Sequence, residues 1–256
     1  MTVLVIARLA FLSYLRQPML WLTTAVGLAF LALSMVFGMF NFFDADRLRL
    51  VCTAGVAITT LNGLFLGSVG AATSIGQEMR HRTILVLLAK PISAADFMIG
   101  KALGIWIATL LSLAIIAIAH LLLVAYLAQH GFPGSRTFFP PDWIPYHRVA
   151  VGHVLAGLNA GVMTCLAAAV AARTSTTTAI IASFAAFIAA HVLAGLGQPS
   201  ALFLPATTLF NIDDSIQSAR FPLNLGYFSL CLLHAVLYAS CSLVFGTILM
   251  NRRDLV

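Results

Sequence analysis

Charged side chains are scarce in this sequence, and their scarcity excludes most soluble folds. Only 9% of the 256 residues are Asp, Glu, Lys or Arg, whereas 61% are hydrophobic and the mean hydropathy is +1.01. Soluble domains carry about 25% charged and about 45–50% apolar residues. The alternating polarity of barrel strands is also absent. The composition therefore predicts an all-α, polytopic membrane protein with a single transmembrane domain over residues 1–256.

Closely spaced cysteine pairs are missing as well, which favours small buried hydrophobic side chains over a disulfide or zinc framework. The four cysteines lie in or beside apolar runs without a CxxC pair: Cys52, Cys165, Cys231 and Cys241. Four histidines lie in or near apolar segments: His120, His153, His191 and His234. No two of them are four residues apart, so we expect neutral imidazoles that hydrogen-bond between helices and no metal site.

Catalytic motifs are absent too. The sequence holds no HExxH, no GxSxG and no paired aspartates in an apolar segment. A nucleophile with a neighbouring base cannot be named, so we expect no catalytic site in this chain.

What the sequence does contain is six apolar segments, each long enough to cross a hydrocarbon core of about 30 Å. They cover residues 19–40, 50–76, 97–128, 148–172, 179–196 and 225–250. The amphipathic residues 3–16 predict an interfacial helix ahead of them. Three prolines interrupt residues 197–223, which predicts short re-entrant or interfacial helices before the last span.

Glycine pairs predict where two of these helices pack closely. Gly63 and Gly67 in the second span, and Gly157 and Gly161 in the fourth, stand at the spacing of small residues that lets helix backbones approach each other.

Basic residues predict the orientation. Six spans place both termini on one side, and that side, with segment 77–96 and link 173–178, carries nine Lys and Arg residues against five on the other. Lys and Arg accumulate in cytoplasmic loops. We therefore expect both termini and segment 77–96 to lie in the cytoplasm, in a multi-pass protein of the cell (inner) membrane. The same bias explains the net charge of +6, so no nucleic-acid partner is expected.

Segment 77–96 is a polar, amphipathic stretch between two long apolar spans. Its basic edge contains Arg80, His81 and Arg82, and its apolar face Ile84, Leu85, Leu87 and Leu88. Pro91 should end a helix at Lys90. Ser93 can cap the next helix, with Asp96 at the N3 position completing a capping box. An ordinary amphipathic loop that stabilises the ends of the spans fits this pattern equally well.

The residues of this segment resemble the E-x-x-x-x-T-x-x-x-L-L-x-x-P-x-S…F-x-x-G-K run of ATP-binding cassette (ABC) exporter permeases of the type 2 class. The positions that match are Glu78, Thr83, Leu87, Leu88, Pro91, Ser93, Phe97, Gly100 and Lys101. The RRDL sequence at 252–255 is similar to the basic end of such subunits, and the order of the spans resembles theirs over the whole chain. The resemblance implies a coupling helix that docks on a separate ATPase. Its coupling residues would be Glu78, Arg80, Arg82, Thr83, Leu87, Leu88, Lys90 and Pro91.

The resemblance also implies the partners: two ABC ATPase subunits, a second permease copy or a homologue, and the lipid bilayer. Spans two and five would line the interface between the permeases. We expect no cofactor in this chain, because Gly100-Lys101 lacks the earlier glycine and the following Ser or Thr of a P-loop. ATP and magnesium would bind to the partner subunits.

Few charges lie within the spans, which favours a lipidic or amphipathic cargo over a highly charged ion. Two alternatives are open: a secondary, ion-coupled transporter, and a mechanical or scaffold membrane subunit that transports nothing. A secondary transporter would favour a charged residue or a broken helix in mid-span.

Overall fold

The computed structural model describes residues 2–37, 43–80, 92–132, 144–198, 204–218 and 223–251, and the elements within these ranges are all helical. In chain order they are α1 (Thr2–Leu15), α2 (Pro18–Phe37), α3 (Asp44–Arg80), α4 (Ala94–His130), α5 (Tyr146–Ala171), α6 (Thr176–Gly195), a 3-10 helix (Thr207–Phe210), α7 (Asp213–Ser218) and α8 (Leu225–Asn251). Six of them, α2 to α6 and α8, are long and apolar enough to cross a membrane. The predicted all-α membrane architecture is confirmed.

Helices α3 and α5 form the centre of the bundle, and small residues let them approach each other. A Cβ atom at Gly63 would lie 3.0 Å from the Cβ of Ala160, and one at Gly67 would collide with the side chain of Thr164. The α5 glycines face the other way, towards α4. Leu110 covers Gly157 and the indole of Trp106 covers Gly161. Both glycine pairs therefore lie at helix–helix contacts, and α5 is enclosed from two sides.

The first described helix, α1, and the end of the last one, α8, lie at one end of the bundle. There, Gly100 near the start of α4 packs against Ile6 of α1, and Gly246 near the end of α8 packs against Ala169 of α5 and Met98 of α4. We name this the terminal end. It is formed by α1, the last turns of α3, α5 and α8, and the first turns of α4 and α6. The opposite, far end contains the 3-10 helix and α7.

Helix α3 begins earlier than predicted. The sequence interpretation placed a polar link over residues 41–49, but Asp44 opens the helix. Its first turn contains two carboxylates, which are stabilised by the positive end of the helix dipole. Both also pair with arginines three residues on: Arg47 Nη1 lies 3.0 Å from Asp44, and Arg49 Nη1 lies 3.8 Å from Asp46. The charges mark where the apolar part of the helix starts and not where the helix starts.

The boundaries of segment 77–96 also differ from the prediction. Helix α3 continues through residues 77–80, which form its last turn. No proline or glycine stands at these positions to interrupt it. At the other boundary, the predicted capping box is present. Ser93 Oγ accepts from the Asp96 backbone N–H at 3.0 Å, and the Asp96 carboxylate accepts from the Ser93 backbone N–H at 3.4 Å. Residues 81–91, where the rest of the predicted coupling helix falls, lie outside the described residues.

Loss of this cap should weaken the start of α4. Ser93→Ala removes the hydroxyl that accepts from Asp96, and an N-cap substitution of this kind costs about 1 kcal/mol. We expect a lower midpoint of thermal unfolding for Ser93→Ala in detergent. The midpoint of Ser93→Asp, which retains a capping oxygen, should stay close to that of the wild type. A midpoint for Ser93→Ala equal to that of the wild type would show that the cap adds nothing.

Candidate functional site

An ion pair with little exposure lies at the terminal end, where the last turn of α3 meets the second turn of α4. The Lys101 ammonium donates to the Glu78 carboxylate and to Ser74 Oγ, the second at 3.4 Å. The two side chains are only 12% and 25% exposed. Lys101 also lies 5.9 Å from the ring centroid of Phe97. This ion pair ties together two helices that segment 81–91 joins in sequence.

Helix α1 packs across the start of α4, and the reason is a third pair of glycines, of which the sequence interpretation named only Gly100, as part of the family-like run. Gly100 and Gly104 stand four residues apart on α4. A Cβ at Gly104 would collide with the backbone carbonyl of Ala7, and one at Gly100 would lie 2.7 Å from the Cβ of Ile6. Ala7 and Ala10 of α1 are buried in this contact.

Tyr14 fastens the other end of α1 to α3. Its hydroxyl donates to the backbone carbonyl of Leu66 at 2.7 Å, and its ring covers Gly70. The side chain is only 2% exposed. Helix α1 is therefore bound to both α3 and α4, on the same end as the ion pair.

A cleft of about 530 Å³ separates part of α1 from these two helices. Its apolar wall includes Leu9, Leu12 and Phe97, and its polar wall is formed by Ser13, Arg16, Glu78 and Lys101. The cleft thus combines a hydrophobic surface with side chains of both charges, which suits contact with an amphipathic protein segment.

A polar network ties α2 to the middle of the same helix pair. The amide of Asn62 donates to the backbone carbonyl of Thr23 at 2.8 Å. The hydroxyls of Thr24 and Ser112 lie 2.7 Å apart, and Ser112 Oγ donates to Asn62 Oδ1 at 3.4 Å. These bonds connect α2, α3 and α4, and they couple the three helices at a second level, away from the ion pair.

The charges differ between the two ends of the described structure. At the terminal end four arginines are exposed: Arg8, Arg16, Arg80 and Arg173. At the far end Arg47 and Arg49 pair with aspartates, and Arg148 donates to the backbone carbonyl of Ser215. Among the described residues, the terminal end therefore presents exposed basic groups, whereas Arg47, Arg49 and Arg148 at the far end bond within the fold.

Of the predicted coupling residues, the structure places two. Glu78 and Arg80 lie in the last turn of α3, where Glu78 joins the ion pair and Arg80 lies 3.5 Å from the Thr176 hydroxyl at the start of α6. The other six lie outside the described residues: Arg82, Thr83, Leu87, Leu88, Lys90 and Pro91. Lys101 was missed as the partner of Glu78. The signal for it was present, because the two opposite charges flank one short connection between two apolar spans.

The membrane histidines bond between elements, as the sequence interpretation favoured. His120 lies 2.9 Å from His153 and 3.0 Å from the carbonyl of Val51. His191 Nδ1 lies 3.0 Å from the Thr207 hydroxyl, and His234 Nε2 accepts from the Ala206 backbone N–H at 3.1 Å. Across the described ranges, no group of three or more His, Cys, Asp and Glu side chains is arranged to hold a metal ion.

Comparison of the sequence with models of protein families and with curated proteins finds no match to either.

Proposed function

We propose that this chain is the membrane-spanning subunit of an ATP-driven ABC exporter of the type 2 class, with its terminal end in the cytoplasm. The supporting observation is the Glu78–Lys101 ion pair, which ties α3 to α4 beside the segment with the family-like sequence. The exposed arginines of the terminal end support the orientation, because basic residues accumulate on the cytoplasmic side.

The lengths of α3 and α4 suit a lever. Each has 37 residues and is therefore about 55 Å long, against a hydrocarbon core of about 30 Å. The two helices are joined at the terminal end by the ion pair and near the middle of each helix by the Ser112–Asn62 hydrogen bond. A force applied to residues 81–91 would therefore displace both helices together, and α1 with them.

In the proposed mechanism, two ATPase subunits bind ATP and close on each other. Their closure displaces residues 78–91 of each permease, the α3–α4 pair follows, and the interface between the two permease copies opens outwards. The cargo is a lipidic or amphipathic molecule. This chain supplies the path and the lever, and the hydrolysis takes place on its partners.

Co-purification tests this proposal. The tagged full-length chain, isolated from its own membranes in mild detergent, should bring with it a subunit that carries a P-loop and hydrolyses magnesium-ATP. Leu87→Ala/Leu88→Ala should reduce the amount of that subunit at least tenfold, because both leucines belong to the docking sequence. The matched control is Leu232→Ala/Leu233→Ala, a pair of leucines on the exposed surface of α8, which should leave it unchanged.

Two results would contradict the proposal: no P-loop subunit in the preparation, or equal recovery with both leucine pairs. Transport that runs on an ion gradient with no ATPase present would favour the secondary transporter instead.

A further inference from the structure

A histidine side chain lines an apolar groove on the side of the bundle, between α4 and α5. The groove has a volume of about 480 Å³. Its walls are apolar side chains, among them Leu110, Ala114, Ala117, Ile118 and Val154, and Trp106 lines it as well. Ile118 and Val154 are more than half exposed, so the groove opens towards the bilayer. His153 also lines it.

The hydrogen bonds of the histidine pair determine which nitrogens carry protons. The Val51 carbonyl only accepts, so His120 Nε2 must be the N–H donor at 3.0 Å. In a neutral imidazole the other nitrogen, His120 Nδ1, is then an acceptor. His153 Nε2, 2.9 Å away, must donate to it. By the same rule His153 Nδ1 carries a lone pair and no proton.

His153 Nδ1 is buried and makes no hydrogen bond to the part of the chain that the structure describes. His153 as a whole residue is only 8% exposed. A buried acceptor without a donor is costly, which makes this atom a specific attachment point for a donor group. The pair itself is fixed, because the His120 ring fills the space where Gly55 lacks a side chain.

We infer that this groove binds an amphipathic molecule from the bilayer, whose apolar body lies along α4 and α5 and whose hydroxyl group donates to His153 Nδ1. His153 is seven residues into α5, about 10 Å from its first residue. The hydroxyl would therefore lie below the headgroup level, and the chain would extend towards Trp106. This binding does not depend on the proposed export function, since it requires only this chain in a bilayer.

Tryptophan quenching tests the inference. Trp106 donates to the Gly157 carbonyl, one helical turn from His153, so a bromine atom on a bound chain would lie close to its indole. The probes are 8-bromooctan-1-ol and 1-bromooctane, compared at matched mole fractions in nanodiscs. The full-length protein carries Trp21→Phe and Trp143→Phe, which leaves Trp106 as the emitter. We expect the alcohol to reach half-quenching at about a tenfold lower mole fraction, which corresponds to about 1.4 kcal/mol.

Three variants separate the parts of the site. His153→Gln retains an acceptor and a donor to His120, so it should keep the preference for the alcohol. His153→Phe lacks the acceptor, so the two probes should become equal. Ala117→Leu fills the groove, so quenching by both probes should weaken. Equal quenching by the two probes in the starting protein would overturn the inference. So would a preference that survives His153→Phe, or alcohol quenching that Ala117→Leu does not change.

Discussion

Gly104→Ala should detach α1 from α4 and lower both stability and any ATPase coupling. The new methyl group would collide with the backbone carbonyl of Ala7, and Ala10 lies close on the same side. A backbone atom cannot rotate away as a side chain can, so the whole of α1 must move. Overpacking of this kind costs about 3 kcal/mol, and the better helix propensity of alanine returns about 1 kcal/mol.

The net loss of about 2 kcal/mol corresponds to a fall of about 4–8 °C in the unfolding midpoint. Gly195→Ala is the matched control, because nothing lies within 4 Å of the position where its Cβ would be. The control should keep or slightly raise the midpoint. If both glycines respond alike, close contact between α1 and α4 is not what determines the stability of the terminal end.

Lys101→Met should be as damaging, because it leaves the Glu78 carboxylate in a site that is only 25% exposed. Breaking one half of a buried ion pair costs about 3–5 kcal/mol, and partial exposure of Glu78 reduces this to about 2 kcal/mol. Arg16→Met, an exposed basic residue on the same cleft, should cost little.

The double variant Glu78→Met/Lys101→Met distinguishes stability from coupling. It removes both charges, so it should recover most of the stability that Lys101→Met loses. It should not recover ATPase coupling, because the pair that ties α3 to α4 is still missing. Thermal unfolding and magnesium-ATP hydrolysis of the co-purified complex measure the two effects. Full recovery of both would show that the ion pair only stabilises the fold.

The sequence predicted the helices better than it predicted their ends. Hydropathy identifies the part of a helix that lies in hydrocarbon, and it changes where the charges begin. The first turn of α3, with Asp44 and Asp46, was therefore assigned to a link although it is helical. The start of α4 was predictable, because Ser93 and Asp96 form a local motif whose geometry depends on four consecutive residues.

The sequence predicted less about which helices contact each other. Glycine spacing indicated that Gly63 and Gly67 lie at a contact, but not that α5 provides it. The partnership of Glu78 with Lys101 depends on how α3 and α4 lie beside each other, over a separation of 23 residues. Which nitrogen of His153 carries the lone pair depends on hydrogen bonds that involve two other helices, and no local sequence pattern predicts those bonds.

The central claim is that α3 and α4 move as one unit when ATP binds to partner subunits. Distances between spin labels test it most directly, with cysteines placed at the exposed positions Gln77 on α3 and Ile99 on α4 in a background without the native cysteines. In the purified complex, ATP should change the Gln77–Gln77 distance between the two permease copies and leave the Gln77–Ile99 distance within each copy unchanged. An inter-copy distance that does not respond to ATP would contradict the account.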